Sequence, residues 1–177
     1  MAQPAIIPYT TLITFHGEHG RVTAMEPGNC VGAMWNIILL SIFPIDRFSR
    51  APRARNPGGC PDIIVSDWTE DSENNLVPHP FLVVQTTKAP SDGRPMWKDA
   101  ERQLKRYLRG HAQMANTGRT GRARLYGAVA IGTDVKFYTY NRRERTVKMI
   151  RGQRRAYDVL NDANMVSSRL GQIMNNH

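Results

Sequence analysis

"PDIIV" at 61–65 and "FLVVQTTK" at 81–88 decide how this chain folds. Ile63, Ile64 and Val65 are consecutive and β-branched, the pattern of a strand buried on both faces. Phe81 to Thr87 reads as a second buried strand. Asp62 opens the first run and Lys88 closes the second. The segment between them, "DWTEDSENNLVPHP" at 67–80, reads as a polar acidic loop. If the two runs are adjacent strands, an acid and an amine share one pocket without relying on a flexible loop.

Upstream, "EPGN" at 26–29 reads as a helix entry with Asn29 as N-cap. The apolar stretch that follows predicts a helix from Cys30 to Ile42, ending before Pro44. Residues 1–28 are punctuated by Pro and Gly, with one short apolar piece, "TTLITF", and read as an N-terminal extension. "DRFSRAPRARNPGGC" at 46–60 holds Arg47, Arg50, Arg53 and Arg55 and reads as a basic loop with room for a short strand.

Downstream, "APSDGRP" at 89–95 breaks the chain. From Met96 to about Ala115 the period is helical, with Trp97, Leu104, Leu108 and Ala115 near one stripe beside Ala100 and Tyr107. Lys98, Arg102, Lys105, Arg106 and Arg109 lie off that stripe, as a solubilising face or, in a chain of net charge +9, a phosphate-binding stripe. "NTGRTGRARL" is a basic loop and "LYGAVAIG" a third buried strand. "GTD" is a turn, "VKFYTYN" an alternating strand, and "NRRER" turns into "TVKMI". The last helix is expected over about 158–174, with Val159, Ala163, Val166, Leu170 and Ile173 on one face. This order predicts an α/β fold, a mixed central β-sheet flanked by α-helices, with the 96–115 helix as a crossover. The 177 residues suit one domain, with a core over about 30–141.

The net charge of +9 points to an anionic partner, nucleic acid before membrane. No apolar run approaches the roughly 18 residues that cross a bilayer, and the start shows no secretory signal. With two cysteines, Cys30 and Cys60, neither a disulfide framework nor a zinc site is indicated, so an intracellular protein, nuclear or cytoplasmic, is expected. No GxSxG, P-loop, HExxH or CxxC occurs. His16, His19 and His79 read as solvated loop residues. A homodimer or another protein partner is left open.

Pro61–Asp62, an intervening hairpin and an apolar strand ending in Lys88 resemble the PD-(D/E)xK, or restriction-endonuclease-like, nuclease superfamily. The helix–strands–helix–strand order over 30–141 is similar too. Gln103 and Tyr107, four apart in "QLKRY", resemble the QxxxY motif of the RecB-like branch, which contacts nucleic acid. "QL..Y" with "YGAVAIGTDVKFY" is also similar to PD-(D/E)xK-type domains of uncharacterised fungal proteins. The resemblance implies metal-dependent phosphodiester hydrolysis of DNA or RNA with Mg2+ or Mn2+. Asp62 would be metal ligand and catalytic residue, and Lys88 would orient water or offset charge on phosphorus. Gln103, Tyr107, Arg102, Arg106, Arg53 and Arg55 would hold the nucleic acid.

One departure matters. The family places an acid two residues before the lysine, and here that position is Thr86. The Mrr-like group uses glutamine in that slot, whereas Gln85 stands three before Lys88. Side chains alternate along a strand, so Thr86 shares the face of Lys88 and Gln85 points away unless a bulge near 86 and 87 turns it. Gln85 or Thr86 would then complete the metal shell, and Gln85 would join the catalytic set. A carboxylate 4 Å from a divalent ion contributes up to about 8 kcal/mol at an effective dielectric of 20, before desolvation. Its loss leaves metal to be held weakly, with help from the substrate phosphate or from Glu26, Asp67, Glu70 or Asp71. The alternative is a catalytically degenerate nuclease fold that binds nucleic acid or protein without cutting.

Overall fold

The computed structural model describes residues 8–25, 29–52, 62–71, 73–89, 96–114, 124–153 and 155–177. A 3-10 turn at Tyr9–Thr11 leads into α1 (Ile13–Thr23) and α2 (Cys30–Ile42). Three strands follow: β1 (Phe48–Pro52), β2 (Ile63–Glu70) and β3 (Leu76–Thr87). Helix α3 (Trp97–Met114) precedes β4 (Leu125–Ile131), β5 (Asp134–Asn141) and β6 (Thr146–Met149). A two-residue strand β7 (Tyr157–Asp158) and helix α4 (Ala163–Asn176) complete the described chain.

The sheet runs β1-β2-β3-β4-β5-β6, with β7 paired to β5. Among the described strands only β3 and β4 pair in parallel, and α3 is the crossover that this pairing requires. The other pairs are antiparallel. The fold is therefore a mixed central sheet flanked by helices, in the order helix, strands, helix, strand. On one face α1, α2 and α4 cover Ile63, Val65, Leu82, Val84, Ala128, Val135 and Phe137. On the other face α3 covers Val83, Leu125, Val129, Ile131, Tyr138 and Tyr140.

Helix α2 forms where its cap and composition place it. Asn29 accepts a hydrogen bond from the Gly32 amide at 3.1 Å, satisfying one of the orphan N–H groups of the first turn. Gly32 fits here because a Cβ would collide with that asparagine side chain.

Three elements differ from the sequence expectation. The N-terminal piece holds a helix, α1, although it contains Gly17 and Gly20, each costing about 1 kcal/mol against alanine. Its stability is tertiary: Phe15 is buried and Leu12 and Val22 pack on the same core. The acidic segment 67–80 is not a loop. Strands β2 and β3 continue through it as a two-stranded arm, pairing Trp68 with Pro78 and Glu70 with Leu76. Asp71 closes the arm by accepting the amides of Glu73 and Asn75, and Asn74 adopts φ +62°. The last helix starts at Ala163 rather than 158, because Tyr157 and Asp158 pair with β5. Asp158 then accepts the amides of Leu160 and Asn161 in a turn.

Candidate nucleic-acid interface and carboxylate site

Asp62 precedes β2, whose first residue Ile63 pairs with Val84. Gln85, Thr86 and Thr87 thus extend past the end of β2. The Asp62 carboxylate serves there in place of a strand carbonyl. Its Oδ2 accepts the Thr86 amide at 2.7 Å and the Thr86 hydroxyl at 3.0 Å. The residue in the family's acid position is therefore a double donor to the aspartate.

Gln85 lies on the other face. Val83 belongs to the α3 core and Val84 to the α2 core, so Gln85 has the parity of α3 and Thr86 that of α2. No bulge alters this, since β3 and β4 stay in unbroken register from Leu82 to Thr87. The irregularity sits at Val65/Ser66 instead, where Phe81 is the extra residue and joins Leu82 in one core. Gln85 is buried, its Nε2 donates to the Thr86 carbonyl at 3.2 Å, and its Oε1 has no partner among the described residues.

The Lys88 ammonium donates to the Met25 carbonyl at 2.7 Å, just beyond α1. Lys88 thus reaches toward the α1–α2 side, the side of Thr86. The geometry brings Asp62 and Thr86 together, ties Lys88 to the end of α1, and leaves Gln85 beneath α3.

Mg2+ takes six oxygens and is usually held by one or two carboxylates, with waters and substrate phosphate completing the shell. At this end Asp62 offers one carboxylate, whose Oδ2 is engaged by Thr86. Among the described residues, no three His, Cys, Asp or Glu side chains cluster as metal ligands. The other acids considered are placed elsewhere. Asp71 is committed to its turn, and Glu70 is exposed on the arm. Glu26 lies outside the described residues. Asp67 is buried and gripped by Arg47 through Nε at 3.1 Å and Nη2 at 2.9 Å, with His177 Nε2 at 3.0 Å. Burial pushes the Asp67 carboxyl up, but the Arg47 and His177 bonds together outweigh burial and hold it below the usual range. His177 also stacks on Phe81, with ring centroids 4.0 Å apart. No local pattern announces this cluster, because Arg47, Asp67 and His177 meet only through the β1–β2 register and the packing of the chain beyond α4.

The second set lies on α3. Gln103 Nε2 donates to the Tyr107 hydroxyl at 2.7 Å, one turn apart, and the Tyr107 ring is buried in the core beneath. Beside them a cavity of about 430 Å3 is lined by Asp99, Arg102, Gln103, Lys105, Arg106 and Arg109. Arg102 pairs with Asp99. Four cations thus stand against one acid, with an amide between them. Arg53 and Arg55 lie outside the described residues. On the core side of the same helix, the sequence reading missed His111. It is buried, and both ring nitrogens have no hydrogen-bond partner among the described residues. Burial alone lowers its pKa to about 4, so the ring is neutral.

No protein-family model matches the chain, and no curated protein does. Among solved structures it is similar to the type IIG restriction endonuclease BpuSI, at 11% identity and a TM-score of 0.43. That alignment covers 99% of this chain and 18% of the enzyme.

Proposed function

We propose that this protein binds nucleic acid through the basic cleft of α3, as a nuclease-like fold of the PD-(D/E)xK type. The supporting observation is the cleft itself, with Arg102, Lys105, Arg106 and Arg109 gathered around Gln103. Arginine and lysine at such spacing neutralise successive phosphates and release counterions. The excess of +9 over the whole chain draws the polyanion toward them. Labelled DNA and RNA titrated by fluorescence anisotropy test this. Reversing Arg102 and Arg106 together to Glu is expected to weaken binding at least about tenfold and to flatten the log–log salt slope by roughly two. Binding unchanged by that double reversal would remove α3 from the interface.

A second reading, phosphodiester hydrolysis, is favoured by one observation. Asp62, Thr86 and Lys88 all sit where β3 ends, with a carboxylate, a hydroxyl and an ammonium. The Asp62 carboxylate at this end is already hydrogen-bonded to Thr86, and among the described residues no three metal-ligating side chains cluster. A gel assay with Mg2+ or Mn2+ separates the readings. Cleavage lost in both Asp62→Ala and Lys88→Ala establishes hydrolysis at this end. Cleavage absent from the native protein and gained in Thr86→Glu identifies a fold lacking only its second acid. Absence from both leaves binding alone.

A further inference from the structure

The protein has five Phe, six Tyr and three Trp, and every one falls within the described residues. All the phenylalanines and tyrosines are buried, as is Trp35. Trp97 is half-buried, and the Lys136 ammonium sits 4.2 Å from its ring centroid. Only Trp68 is exposed, at 42%, and it stands on the β2–β3 arm near Glu70, Asp71 and Glu73, which repel phosphate. The segments outside the described residues contain no Phe, Tyr or Trp. No such ring therefore lines the α3 cleft, whose described lining is four cations, the Gln103 amide and the Asp99 carboxylate.

That census bears on which nucleic acid the cleft takes. Proteins that hold single strands without sequence preference stack successive bases on aromatic rings, at about 1–3 kcal/mol per base. Here that source of affinity is missing, and phosphate contacts must supply the binding. A duplex carries one phosphate charge per roughly 1.7 Å of its axis against about 3.4 Å for one strand, so a cleft that binds through phosphates alone gains more from a duplex. We infer that the ligand of the α3 cleft is double-stranded nucleic acid, gripped by its backbone and read without base stacking. This inference rests on the reading of α3 as the nucleic-acid interface. DNA and RNA duplexes share the chemistry, and the assay separates them.

Short labelled DNA and RNA duplexes, and the single strands that compose them, are titrated against the whole protein at low and moderate salt. At least one duplex is expected to bind about tenfold or more tightly than its strands. That preference is expected to vanish in Arg102→Glu/Arg106→Glu and to survive in Trp68→Ala. Circular dichroism establishes that both variants are folded. Single strands bound as tightly as duplexes, or binding lost in Trp68→Ala, overturn the duplex inference while leaving α3 as the interface. No binding of any nucleic acid, or binding indifferent to the arginine reversal, sinks the interface itself.

Discussion

The two helices that cover the centre of the sheet do the same structural job with opposite compositions. Helix α2 has no charged residue in thirteen, and α3 carries Lys98, Asp99, Glu101, Arg102, Lys105, Arg106 and Arg109. The reason is what lies behind each. Helix α2 packs on β3, α1 and α4 and leaves Asn36 and Leu40 as its exposed positions. A helix buried over most of its surface is apolar over most of it. Helix α3 packs on β3, β4 and β6 with one face, and its outer face meets water. Stability is therefore concentrated on the α2 side. The α3 side has a surface to spend on a ligand, and the Asp62 end joins neither core.

The sharpest way to break that contrast is to remove the largest side chain on the α2 face. Trp35 is fully buried and lies edge-on to Phe137, with centroids 6.3 Å apart. Trp35→Ala is expected to cost about 3–5 kcal/mol in urea denaturation. A midpoint within experimental error of the native protein would show that this face does not hold the fold.

Acid probes the core side of α3. His111 is neutral because burial lowers its pKa from the ordinary 6.5 to about 4. The folded pKa lies below the unfolded one. Its neutral form therefore supports the fold fully above about pH 6.5, and that support is lost as pH falls toward 4. The loss amounts to about 3 kcal/mol at most. Urea midpoints are expected to fall over this window, and His111→Leu, close in volume, is expected to fall less. Equal losses in the two proteins would assign the acid sensitivity to other groups.

The smallest effect is expected on the outer face. Arg102→Glu/Arg106→Glu changes exposed side chains and should move stability by less than about 0.5 kcal/mol while weakening nucleic-acid binding. A large loss of stability would make those arginines structural, and the contrast between the helices would fail.

Much of the framework was legible because its signals are local. Asn29 followed by an apolar run marks α2 and its cap. The β-branched run at 63–65 and the run opened by four apolar residues at 81–87 mark the inner parts of β2 and β3, and the 96–115 pattern marks the crossover helix. The elements that escaped are those whose stability is not local. Helix α1 contains two glycines and forms on the back of α2. The outer arm of β2 and β3 is polar, because its residues past Asp67 cover no core and show no apolar run. At the candidate site, Asp62, Gln85, Thr86 and Lys88 could be named from spacing, but their partners could not.

Composition and periodicity by themselves determined a basic α/β chain, its crossover helix and the cationic outer face of that helix. Each follows from interactions between residues a few positions apart. Only the tertiary structure decided that the Asp62 carboxylate is held by Thr86, that Lys88 reaches Met25, and that Gln85 lies beneath α3. Such choices depend on register and on which distant polar group arrives first at a buried end. The burial of every aromatic ring but two, and so the absence of a stacking platform in the cleft, was decided in the same way.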